Sequence, residues 1–244
     1  MIASAVVRAM RPKQWMKNAL VFAAPVAAGV IDERDMFVKT ALAFVAFCLA
    51  ASSTYLVNDS QDVESDRKHP TKCKRPIAAG ELSVNAAYVL AAAFVVAGVA
   101  IGFATSRNLG LTILAYLALT TTYSYWLKHQ AILDIVAVAG GFVLRAIAGA
   151  TATGVPISEW FFIVTSFGAL LMVTGKREGE RAQLGDEAAA LRPTLGMYSP
   201  AFLMYLRAVF TGVVLVGYCL WAFTSADTWP DAGQWYQLSI VPFG

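Results

Sequence analysis

An all-α bundle of helices that crosses a membrane several times is the fold class this sequence predicts, on three grounds. Charge is scarce: charged residues make up 14% of the chain and hydrophobic residues 58%, where an ordinary soluble domain carries about 25% charge. The mean hydropathy is +0.59, and the apolar residues gather in runs near the roughly 20 residues that a bilayer requires. Lys and Arg are also sorted, with fourteen of the 19 falling on one side of the predicted spans and three on the other. Two, Arg145 and Arg207, fall within spans.

Residues 1–18 are basic, with Arg8, Arg11, Lys13 and Lys17, and Trp15 suits the membrane interface. No small-residue cleavage pattern follows, so a removable signal peptide is not expected. The first apolar stretch, about 19–31, is short and is broken by Pro25 and Gly29. It can span only if its helix begins inside the basic segment and tilts. Clearer spans are predicted at about 36–57, 84–104, 109–126, 131–153, 158–174 and 201–224, making seven in all. Loops at 105–108, 127–130 and 154–157 are short, which makes consecutive helices antiparallel neighbours. The positive-inside rule places the N-terminus and two polar loops, about 58–83 and 175–200, in the cytoplasm. The whole chain, 1–244, reads as one integral-membrane domain, with 225–244 as a loop on the outer surface. The spacing of the two polar loops hints at a repeated four-helix unit, with too little internal identity to assert one. Cys48, Cys73 and Cys219 are scattered and offer neither a disulfide framework nor zinc spacing.

The densest charge runs from Asn58 to Pro76, directly after an apolar run. If the helix continues through it, Asp59, Asp62 and Asp66 share one face, with Asn58 alongside. Stacked carboxylates repel, so a cation belongs between them. Carboxylate oxygens suit a hard divalent ion, and Mg2+ shares its shell with substrate phosphates. Arg67, Lys68, Lys72, Lys74 and Arg75 follow at once, as a diphosphate-bearing substrate would require. A solvated, mixed-charge loop is the competing reading.

Asp134 and Arg145 lie within a predicted span, eleven residues apart and on one face. Ionisable groups at that depth face a cavity or a partner, and pairing with neighbouring helices is as good a reading as a site. Tyr123 and Lys128 fit either interface anchors or a phosphate site. In the second polar loop, Lys176 and Arg177 suit phosphate oxygens, and Glu180 suits either Lys176 or a metal. A surface salt-bridge ladder is the alternative there. No nucleophile triad, glycine-rich phosphate loop or nucleic-acid signature is present.

Asn58-Asp59-x-x-Asp62-x-x-x-Asp66 after the second span resembles the first acidic motif of the UbiA superfamily of intramembrane prenyltransferases. That resemblance implies nine helices around a cavity open to lipid, of which about seven are present here, and Mg2+ held by two acidic motifs. Three places are similar to one branch, the actinobacterial decaprenyl-phosphate phosphoribosyltransferases: Arg11 to Asn18, the extended first motif through Arg67 to Pro70 and Arg75 to Gly80, and Gly141 to Ala150. The branch implies a pentosyltransferase that moves 5-phosphoribosyl from phosphoribosyl diphosphate to a polyprenyl phosphate, feeding cell-wall arabinan. The second motif departs from the superfamily's Asp-rich pattern, since Lys176-Arg177-x-x-Glu180 stands in its place. More base and less acid favours a donor with an additional phosphate.

The resulting assignment gives Asp59, Asp62 and Asp66 to catalysis and Mg2+, with Glu180 as a further ligand. Lys17, Asn18, Asn58, Arg67, Lys72, Arg75, Tyr123, Lys128, Arg145, Lys176 and Arg177 are the substrate-binding candidates. Expected partners are phosphoribosyl diphosphate, a polyprenyl phosphate and the lipid bilayer of the plasma membrane, with a homo-oligomer left open. Two rivals remain: a prenyltransferase acting on an aromatic or lipid acceptor, and a carrier, which would place its site at the bilayer midplane instead.

Overall fold

The computed structural model describes residues 2–184 and 193–228, and these are helical with short connections. The N-terminal helix α1 (Ile2–Ala9) leads into a 3-10 helix at Pro12–Phe22 and the short α2 (Ala23–Ala27). Long helices follow: α3 (Arg34–Gln61), then the short α4 (Val63–Lys68) and a 3-10 turn (Lys72–Lys74), then α5 (Val84–Thr105) and α6 (Arg107–Tyr125). A 3-10 turn at Leu127–His129 precedes α7 (Leu133–Thr153), and α8 (Glu159–Leu184), α9 (Pro193–Met197) and α10 (Pro200–Thr228) complete the order. Among the described residues, four helices are long and apolar enough to cross a membrane: α3, α5, α7 and Pro200–Thr224 of α10. All four were expected from the sequence, and α6 and α8 cover the expected stretches at 109–126 and 158–174.

The first apolar stretch begins inside the basic segment, as its length required, but its winding is unexpected. It starts at Pro12, inside the basic segment, and its first 11 residues wind as a 3-10 helix before the 5 residues of α2. A 3-10 turn rises about 2.0 Å per residue against about 1.5 Å in an α-helix. Laid end to end, the two pieces cover about 30 Å, the thickness of a hydrocarbon core. Two expectations need correction. The segment from Thr174 to Leu184 is not a loop but the last turns of α8, and residues 225–228 continue α10. The rest of the expected outer loop, 229–244, lies outside the described residues, as does 185–192 of the second polar loop.

Backbone contacts group the chain into two compact units, Met1–Ser124 with Leu144–Val155, and Tyr125–Val143 with Pro156–Gly244. In the first, α3 packs along α5 through small residues. Ala43, Ala46 and Ala50 on α3 are fully buried, and a Cβ added to Gly98 of α5 would lie 3.0 Å from the Ala46 carbonyl oxygen. Such close backbone approach is how membrane helices gain contact without a hydrophobic driving force between them. Phe47, Leu109, Ile113 and Tyr116 fill the space beside it, with the Phe47 and Tyr116 rings 5.2 Å apart. Gly149 of α7 lies so close to Val21 of the 3-10 helix that a Cβ there would overlap the Val21 carbonyl oxygen.

A second cluster in this unit, around Leu56, Ile77, Leu82, Ala87 and Ala91, anchors the segment after α4. Pro76 accepts backbone hydrogen bonds from Glu81 (2.9 Å) and Leu82 (3.1 Å), and Gly80 supplies the positive φ of 76° that closes the turn. Arg75 is held at the edge of this anchored turn. In the second unit, α8 packs on α10, and Ile135, Ala139, Ala169, Val173, Tyr198 and Leu203 form its core. There the Tyr198 hydroxyl accepts a 2.9 Å bond from the amide of Ile132, a β-branched residue held at φ 68°.

Candidate functional site

The charged stretch folds around two buried carboxylates rather than three aligned ones. Helix α3 stops at Gln61, Asp62 takes φ −88° and ψ 7°, and α4 restarts at Val63. The break leaves Asp62 exposed while Asp59 and Asp66 turn inward, 5% and 1% exposed. The expectation of three carboxylates on one continuous face is corrected accordingly. Among the described residues, no group of three or more His, Cys, Asp or Glu comes together.

The cation demanded by the stacked acids is arginine. Nη1 of Arg75 donates to Asp59 Oδ1 at 3.0 Å and to Asp66 Oδ2 at 2.6 Å, so one nitrogen joins the two carboxylates. Nη2 of Arg11 donates to both oxygens of Asp59, at 2.6 and 2.9 Å, and its guanidinium lies 4.8 Å over the Tyr55 ring. Lys72 stands at the rim, 3.9 Å from Asp66. Two negative charges are thus met by two guanidiniums, with an ammonium beside them.

Arg11 reaches this place at a cost. Its backbone is left-handed, φ 55° and ψ 60°, which for a residue with a Cβ costs about 1–2 kcal/mol. Hydrogen bonds to a charged group return about 1.5–3 kcal/mol each, so the strain is outweighed. Arg11, Tyr55 and Tyr116 are the residues that spacing alone did not single out. The available signal for Arg11 was its place before Pro12, in a basic run that the positive-inside rule sets on the same side as the acid cluster.

The remaining candidates sort by unit. In the first, Asn58 is half-buried on the last turn of α3, Lys17 is exposed, and Tyr123 is half-buried near the end of α6. Arg67 pairs with Glu64 at 2.9 Å and donates to the Ala78 carbonyl at 3.3 Å. Arg145 is buried, giving Nε to Asn18 Oδ1 (2.8 Å) and Nη2 to the Tyr116 hydroxyl (2.9 Å). Asn18 in turn donates to Cys48 Sγ at 3.2 Å, a polar chain inside an apolar core.

In the second unit, Lys128 is half-buried on its 3-10 turn. Arg177, 3% exposed, donates to both oxygens of Asp134 (2.8 and 3.2 Å) and to Glu180 (2.8 Å). Asp134 sits in the first turn of α7, where a carboxylate also favours the helix dipole. Lys176 is exposed and lies 3.6 Å from Glu180. Glu180, expected as a metal ligand, is therefore engaged by two cations, and Arg177, expected on phosphate, faces two carboxylates.

Asp59 and Asp66 fit a particular kind of metal site. Mg2+ is held through one or two carboxylates, with the rest of its shell from water and substrate phosphates. Two hard-oxygen donors already gathered around one positive nitrogen match that donor set. Among the described residues, a cage of protein ligands alone does not form.

These features define a helical membrane protein of several spans, with an ionic cluster where one apolar helix ends. The chain belongs to the UbiA prenyltransferase family, whose model matches residues 19–241. It is 43% identical, over 99% of its own length, to proteins named decaprenyl-phosphate phosphoribosyltransferase. These come from Corynebacterium glutamicum, where it covers 74% of the relative, and Mycolicibacterium smegmatis, where it covers 79%. Its fold is similar to that of a UbiA homolog from Archaeoglobus fulgidus solved with GPP and Mg2+, with a TM-score of 0.77 at 18% identity. That match covers 98% of this chain and 85% of the other.

Proposed function

We propose that this protein transfers the 5-phosphoribosyl group of phosphoribosyl diphosphate to the phosphate of a polyprenyl (decaprenyl) phosphate and releases pyrophosphate. The observation that carries the reading is the buried Asp59–Asp66 pair with Arg11, Arg75 and Lys72 around it. Its support is the 43% identity to the named phosphoribosyltransferases across nearly the whole chain. In this reaction the bond from ribose C1 to the diphosphate oxygen breaks. An oxygen of the polyprenyl phosphate bonds to C1 from the opposite side. The nucleophile is anionic at neutral pH, so the chain supplies no general base. Its task is to neutralise the departing diphosphate and align the two reactants.

Asp59 and Asp66 would hold Mg2+, which supplies charge stabilisation to the leaving diphosphate. Arg75 and Lys72 bind diphosphate oxygens, Arg75 in bidentate fashion, while Arg11 holds Asp59 in place. Asn58 and Asp62 flank the pair within reach of water or substrate. Arg145, fixed by Asn18 and Tyr116, serves the acceptor phosphate, with Lys17 and Tyr123 as further contacts in that unit. The lysine and arginine bias supports a site on the cytoplasmic face of the plasma membrane.

The test supplies purified protein in detergent with Mg2+, a polyprenyl phosphate and ribose-labelled phosphoribosyl diphosphate. The expected result is label in the lipid extract and pyrophosphate in the aqueous phase. Label that stays in water, while a prenyl diphosphate reacts with a phenolic acceptor, would replace this reading with aromatic prenyl transfer.

A further inference from the structure

We infer that Arg75 is a placeholder cation: its guanidinium holds Asp59 and Asp66 together until a divalent cation arrives, then moves onto the diphosphate. The inference rests on the diphosphate-transfer reading above. Its basis is that one nitrogen already joins the two carboxylates that would hold the metal. Nη1 lies 3.0 Å from an oxygen of Asp59 and 2.6 Å from an oxygen of Asp66. A Mg2+ ion bound by the same two oxygens requires distances of about 2.0–2.1 Å. Nitrogen and metal cannot both lie between them.

Charge points the same way. The two carboxylate side chains are 6% and 2% exposed, and the Arg75 side chain that joins them is 27% exposed. With a dication in place the pair is neutralised and its hold on the guanidinium falls. A diphosphate arriving with the metal offers that guanidinium a bidentate anion instead. Arg75 therefore makes metal binding weak in the absence of diphosphate and strong in its presence, a coupling that works equally in both directions. Arg11 differs. It grips both oxygens of Asp59 alone, stacks on Tyr55 and does not bridge the acids, so it stays when Arg75 leaves.

The experiment titrates Mn2+, followed by its electron paramagnetic resonance signal, into the full chain in detergent. It is run with and without inorganic pyrophosphate, against a protein-free control. For the wild type, pyrophosphate should tighten Mn2+ binding at least about tenfold, equivalent to about 1.4 kcal/mol. For Arg75→Gln, Mn2+ alone should bind about tenfold tighter than to the wild type, and pyrophosphate should add at most about threefold. Arg75→Lys keeps the charge without the fork and should fall between. If Arg75→Gln does not fold, Arg75→Lys carries the test. Variant affinity for Mn2+ alone that equals or falls below the wild type, with pyrophosphate coupling intact, overturns the placeholder role and leaves the proposed function standing. Wild-type protein that binds no Mn2+ even with pyrophosphate overturns both.

Discussion

Removing Arg177 or Asp134 singly should destabilise the protein far more than removing both. Asp134 is fully buried and Arg177 is 3% exposed, and two hydrogen bonds of 2.8 and 3.2 Å join them. Breaking a buried pair from one side leaves a charge in a low-dielectric setting and costs about 3–5 kcal/mol. Asp134→Leu should fall at the lower end, because Arg177 retains Glu180 at 2.8 Å. Arg177→Met should fall at the upper end. For a chain of this size each kcal/mol moves the midpoint by about 2–4 °C, so either single change should lower Tm by roughly 10 °C. The double variant replaces the pair with apolar groups of similar bulk, and such exchanges are about neutral. The assay is thermal unfolding in detergent, arranged as a double-mutant cycle. Singles within about 0.5 kcal/mol of wild type, or a double equal to their sum, would refute a coupled buried pair.

Three further changes test other parts of the structure. Gly149→Ala places a methyl against the Val21 carbonyl and within 2.8 Å of the Pro25 ring. Overpacking of that kind costs about 1–3 kcal/mol, and an unchanged Tm would contradict the close approach. Arg11→Gly relieves the left-handed strain at φ 55° yet removes the grip on Asp59. Phosphoribosyl transfer should fall at least tenfold and Tm should fall as well, because the lost hydrogen bonds to Asp59 outweigh the relieved strain, and full activity would show that Arg11 has no part in the site. Tyr116→Phe deletes the 2.9 Å acceptor of buried Arg145 and should cost about 1–3 kcal/mol, read as a lowered Tm. No change there would mean that the hydroxyl does not hold Arg145.

Much of this arrangement was legible in the sequence because it depends on local spacing. Helices α3, α5, α7 and α10 follow from apolar length alone. Asp59 and Asp66 are seven residues apart, so two helical turns bring them to one side even with the chain broken between them. The break at Asp62 has no glycine or proline to announce it. It accompanies the reach of Arg75 to two acids nine and sixteen residues away, a demand made by tertiary contact. Arg11 lies 48 residues from Asp59, and no periodicity links them. Asp134 and Arg145 were read as one polar face of one helix, with internal pairing as the even alternative. Each finds its own partners, Arg177 for the first and Asn18 with Tyr116 for the second. Partner choice of that kind depends on side chains brought together by packing, which local spacing does not encode.

The central claim is that the Asp59–Asp66 pair is where phosphoribosyl transfer takes place. The most direct measurement is kcat/KM for label transfer from phosphoribosyl diphosphate to polyprenyl phosphate, in wild type, Asp59→Asn and Asp66→Asn. Each change keeps side-chain volume and removes one charge, and circular dichroism confirms the helical fold. The account predicts a loss of at least about a hundredfold in each variant, about 2.7 kcal/mol of transition-state stabilisation, and loss of wild-type activity on chelation of Mg2+. Folded variants that transfer label within twofold of the wild type would contradict it.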